Sequence, residues 1–133
     1  MDDEISGGFT FYGNIPDNSD EQHLGIVLGV NDPLLKYCYC TSKYNKIINE
    51  MDFVKIPAEK MKNYFKDAKE TYIFISHRHI IDIFLITFKS RLNSEYTIMK
   101  PIDNDIFTQI LSKIQNSDNL SDRFKNDFFS FIG

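Results

Sequence analysis

The chain has 133 residues, 42% hydrophobic and 14% aromatic, with twelve Phe, seven Tyr and no Trp. That is enough for one hydrophobic core and short of two domains. Six Gly, four Pro and this aromatic content exclude a collagenous, low-complexity or disordered chain. The formal net charge of -4 argues against non-specific binding of nucleic acid by charge alone.

The charge is unevenly spread. Residues 1–22 hold six acids and no Lys or Arg, whereas residues 36–69 hold eight Lys against four acids. Such runs are most often solvated faces, and here an acidic start could also shield a basic middle. The longest apolar run, 80–88, is broken by Asp82 and Thr87 and falls short of the ~20 residues of a membrane span. Met1-Asp2-Asp3-Glu4 is acidic where a secretory signal is basic, so the expected location is cytoplasmic, with no membrane partner.

In chain order, residues 1–7 are expected to be a flexible N-terminus. A strand is predicted over 9–12, followed by a dense cluster of turn formers, Gly13-Asn14-Ile15-Pro16-Asp17-Asn18-Ser19-Asp20, read as a long mobile loop. Residues 23–30 alternate, with Leu24, Ile26, Leu28 and Val30 on one face and His23, Gly25, Val27 and Gly29 on the other. The alternate glycines would let a backbone or ligand approach closely. Asn31-Asp32-Pro33 forms a turn, and 34–42 returns as the second strand of a hairpin.

A short strand is predicted over 52–56, and Pro57 then opens a helix of two or three turns. Residues 71–76 and 80–84 read as strands joined through a polar tip, His77-Arg78-His79. The period of 85–92 fits helix and strand alike. Asp103 can cap a helix ending near Asn116-Ser117, and Ser121 can cap a second over 122–131. The expected class is α+β: a single domain with a small, strongly curved antiparallel sheet or SH3-like barrel over 8–100, holding one inserted helix, and a helical tail over 101–133.

Cys38 and Cys40 are too close in sequence for good disulfide geometry. With His77 and His79 they could in principle supply four zinc ligands, since residues i and i+2 of a strand share a face. The hairpin tip and the strand interior lie at different heights, however, and the reading preferred is two packed free thiols with no metal and no cofactor.

The order of features, with the strand His23-Leu24-Gly25-Ile26-Val27-Leu28, the second strand ending in Thr41-Ser42-Lys43, then Thr71-Tyr72-Ile73 and closing helices, resembles the MazF/PemK-like toxins and their relative ToxN. The resemblance spans roughly residues 8–114. It implies an SH3-like barrel and a metal-independent endoribonuclease of toxin-antitoxin or phage-defence systems. A protein or RNA antitoxin would be the partner, and a homodimer a possible assembly. Common members place Arg-Pro before the second strand, where this chain has Gln22-His23.

The chemistry can be stated separately. Cleavage of RNA by its own 2′-hydroxyl needs a proton acceptor, a proton donor and a cation or donor cluster at the phosphate. Thr41, Ser42 and Lys43, at a strand end, can converge on one phosphate, and His23 at the start of the neighbouring strand can exchange protons. These four are the candidate catalytic residues. Tyr12, Tyr37, Tyr39 and Tyr44 are candidates for stacking on bases of single-stranded RNA, with Lys46 and Arg78 as cations. The plainer reading makes them an ordinary turn, a surface histidine and core tyrosines. The alternative function is a non-catalytic SH3-like adaptor that binds protein or RNA through the same groove.

Overall fold

The computed structural model describes residues 4–16, 19–43, 52–92 and 94–133. Seven strands are present there: β1 (Thr10–Asn14), β2 (Gln22–Asn31), β3 (Leu34–Thr41), β4 (Asp52–Ile56), β5 (Thr71–Ile75), β6 (Ile81–Phe84) and β7 (Thr97–Met99). The helices are α1 (Ala58–Met61), α2 (Leu85–Arg91), α3 (Asn104–Asn116) and α4 (Asp122–Ile132). The strands form one antiparallel sheet in the order β4-β5-β3-β2-β1-β7, with β6 also on β3. The fold is α+β. The sheet does not close. Of the two expected forms, sheet or barrel, the open sheet is the one found.

Both faces of the middle strands are covered. Leu24, Ile26, Leu28, Cys38, Cys40, Ile73 and Ile75 meet Ile106, Ile110 and Ile114 of α3 and Phe128 of α4 on one face. Phe11, Val27, Leu35 and Tyr37 meet Phe88 of α2 and Tyr96 on the other. Hence β2 is buried from Leu24 through Gly29.

The simple alternation of β2 fails at one place. The pairing with β3 shifts between Val27 and Gly29, which makes Leu28 the extra residue of a bulge. Beyond it Val30 turns to the face of Val27, although parity alone groups it with Leu28. The glycines are filled from within rather than by a ligand. A Cβ on Gly25 would stand 2.4 Å from the Phe11 ring, and one on Gly29 would stand 2.6 Å from Ile132.

Three further expectations are corrected. β5 and β6 are not the arms of a hairpin. Cys40 and Thr41 of β3 pair with Ile73 and Tyr72, whereas Leu34 to Tyr37 pair with Phe84 to Ile81. They are successive segments along one edge of β3, and residues 76–80, His77-Arg78-His79 among them, form an outward excursion between them. The helix after Pro57 has a single turn, and Pro57 stands at its N-cap. The loop over 13–20 begins ordered, since Gly13 and Asn14 belong to β1 and Ile15 is fully buried.

Both tail helices are capped as read. The Asp103 carboxylate accepts from the Asp105 N–H, and the Ser121 hydroxyl accepts from the Phe124 N–H at 3.1 Å. Residues 85–92 resolve as α2, whose Phe88 is fully buried. Strand β7 is found where none was predicted. Among the described residues no helix is long and apolar enough to cross a membrane.

Candidate functional site

Continuing the β2–β3 register from Gly25 opposite Tyr39 sets His23 opposite Thr41, as the hairpin reading requires. The contact is direct. His23 Nδ1 lies 2.9 Å from the carbonyl oxygen of Cys40, so Nδ1 carries a proton and donates it there, which leaves Nε2 for other chemistry. Nε2 is 3.8 Å from a carboxylate oxygen of Glu21, and the other Glu21 oxygen pairs with the Lys43 ammonium. Glu21, His23 and Lys43 therefore form one cluster where β2 begins and β3 ends.

Sequence reading missed Glu21. The available signal was Glu21-Gln22-His23 entering a strand, because residues i and i+2 share a face and set the carboxylate beside the imidazole. Lys43 holds the Glu21 carboxyl below its usual range, through the hydrogen bond and through its charge. Both partners are solvent-exposed. The ammonium that sequence reading left free for a phosphate is thus already paired.

A cleft of about 270 Å³ opens at this end of the sheet. Glu21, His23, Thr41, Ser42 and Lys43 line it together with Tyr12, Phe65 and Lys69, over a floor that includes Leu24, Cys40 and Met61. All four candidate catalytic residues are therefore at one opening. Their side chains do not all leave the sheet on the same side, because strand parity opposes Leu24 and Cys40, which face the α3 core, to His23 and Thr41. The His23 ring accordingly rests 5.4 Å from Tyr39, whereas Tyr12 leans on Phe65 at 5.0 Å inside the cleft. The Thr41 hydroxyl is engaged locally, accepting from the Lys43 backbone N–H at 3.1 Å. Thr71, on β5, lines the same cleft.

The other candidates fall elsewhere. Arg78 is exposed in the 76–80 excursion, close enough for its charge to act on Tyr39 and His79. Tyr44 and Lys46 lie outside the described residues. His79 Nδ1 meets the Ser76 hydroxyl at 2.6 Å, and burial, with Arg78 adding to it, lowers its pKa from the usual value. His77 packs edge-on against Phe124, and both cysteines face the core. Burial pushes the Cys38 thiol up to about 12 and raises Cys40 well above its ordinary value, so both stay protonated. Among the described residues no three His, Cys, Asp or Glu side chains are grouped to hold a metal ion.

No protein-family model matches the chain, and no curated protein matches it at a significant level.

Proposed function

We propose that the chain is an endoribonuclease that cleaves single-stranded RNA by attack of the 2′-hydroxyl, with no metal needed for the step. The observation that carries this is the meeting of a carboxylate, an imidazole and an ammonium, Glu21, His23 and Lys43, at the mouth of one cleft. These are the three kinds of group that the reaction uses.

In this reading a scissile phosphate displaces Glu21 from the Lys43 ammonium, which then faces the charge developing on the phosphoryl oxygens. The released carboxylate accepts the 2′-hydroxyl proton as the 2′-oxygen bonds to phosphorus. The bond from phosphorus to the 5′-oxygen breaks, and protonated His23 delivers the Nε2 proton to that oxygen. The Cys40 carbonyl keeps the ring oriented by holding Nδ1–H. The products carry a 2′,3′-cyclic phosphate and a 5′-hydroxyl. A cytoplasmic toxin or phage-defence role, held in check by an antitoxin, is the setting that the family resemblance suggests.

The test incubates purified protein with single-stranded RNA and a chelator. Cleavage with cyclic phosphate ends, DNA of the same sequence left intact, and a rate reduced roughly 10²- to 10³-fold in Lys43→Ala support the reading. Wild-type protein that leaves RNA whole overturns it. The adaptor reading draws on a separate observation, the side-by-side exposure of Phe84 and Ile86 at 58% and 79%, which is apolar surface that a protein partner would cover.

A further inference from the structure

The rings beyond His23 continue in a row across the sheet. From His23 the centroid separations run 5.4 Å to Tyr39, 5.7 Å on to His79, 5.4 Å to Phe74, 6.4 Å to Tyr72 and 5.8 Å to Phe53. The row thus crosses β2, β3, β5 and β4. Phe74 is buried at its centre, and the other five rings are partly exposed. Strand parity explains the row. Val54 and Ile73 turn toward the core shared with α3, so Phe53, Tyr72 and Phe74 turn the other way.

Apolar burial alone gives no reason for four strands to place aromatic side chains on one partly wet strip. The strip is flanked by cations: exposed Arg78 beside Tyr39 and His79, and Lys55, which shares the Glu70 carboxylate with the Tyr72 hydroxyl. Its first ring is His23 of the proposed reaction. The geometry points to a base-stacking platform on this face, one that carries the single-stranded RNA flanking the cleavage point from His23 outward toward Phe53. Base-to-ring stacking tolerates any sequence, because every base has a π face, and flanking cations take the phosphates. A duplex, whose bases are already stacked on one another, would not be held this way. The inference rests on the RNA reading above and extends it to the part of the substrate that is bound but not cut.

Binding is measured on the full chain by fluorescence anisotropy, with a labelled 2′-O-methyl oligoribonucleotide that has no free 2′-hydroxyl and cannot be cut. Tyr72→Leu and Tyr39→Leu, which keep apolar bulk and lose the ring, should each raise Kd roughly 5- to 150-fold. Tyr72→Phe keeps the ring and should bind like wild type, as should Gln109→Ala, an exposed position of α3. Thermal melts identify any variant that is unfolded, and the Tyr72 pair of substitutions decides the matter if Tyr39→Leu is. Leu variants that bind as tightly as wild type overturn the platform, and so does a duplex held as tightly as the single strand. Binding that depends on Tyr72, without any cutting of ordinary RNA, leaves the platform standing and removes the nuclease. Cutting with an unchanged KM in the Leu variants removes the platform alone.

Discussion

At the scale of the residue, Glu21 is the proton acceptor of the proposed reaction and the side chain easiest to overlook. If it accepts the 2′-hydroxyl proton, Glu21→Gln should lower the cleavage rate by roughly 10²- to 10⁴-fold while RNA binding holds or tightens, since Lys43 is then unopposed. His23→Ala should lose a comparable factor, as measured with a quenched fluorescent oligoribonucleotide. Thr41→Ala should matter more than Thr108→Ala, which removes an exposed hydroxyl from α3 far along the chain. Thr71 cannot serve as that control, because it lines the cleft. Gly25 has a role of another kind. The ring of Phe11 is fully buried over it, so Gly25→Ala must displace a packed aromatic and should destabilise the fold by ~1 to 3 kcal/mol in denaturant titrations.

The same logic at the scale of the element concerns α4. Its cap is the Ser121 hydroxyl, and its inward face brings Phe128 against the sheet and Ile132 against the hollow left by Gly29. Ser121→Ala should cost ~1 kcal/mol, the usual worth of a lost N-cap. Deleting residues 121–133 removes the fully buried Phe128 and leaves the bulged part of β2 uncovered. At ~1.5 to 3 kcal/mol per large side chain the truncated chain should lose several kcal/mol and melt well below the full chain. An unchanged melting temperature would show that α4 is not part of the core. Lys36 strengthens the same junction, with its ammonium 2.8 Å from Asp82 on β6 and 4.8 Å from the Phe131 ring centre on α4.

For the whole molecule, the two thiols set an upper pH limit. Their folded pKa values lie above the ordinary value of 9.0, so the native state keeps protons that the unfolded chain releases. The stability this represents is complete below pH 9 and is lost as pH rises from there, for Cys38 toward about 12. Each thiol contributes a limiting slope of ~1.4 kcal/mol per pH unit. The melting temperature should therefore be level near neutrality and fall above pH 9. A Cys38→Ala, Cys40→Ala double variant should start lower, because of its cavities, but fall less steeply. Native protein should resist thiol-labelling reagents at pH 8 and react fully once unfolded.

Local signals decided much of this in advance. Asp103 and Ser121 announce their helices because an oxygen placed before an apolar stripe satisfies free N–H groups, whatever lies elsewhere in the chain. The adjacency of His23 and Thr41 follows from alternation and a tight turn, and so do the strands that carry them. The bulge at Leu28 was not legible, because it depends on how β3 pairs and not on the residues of β2. Nor was the sharing of one edge of β3 by β5 and β6. Two runs joined through a polar segment look alike in sequence whether they pair with each other or with a third strand. The partnership of Glu21 with Lys43, and the row of rings from His23 to Phe53, join residues brought together only by pairing across strands. Composition, periodicity and capping act over a few residues and are written in order along the chain. Register, parity across the sheet and the partners of charged groups are settled by the global packing that buries the most apolar surface.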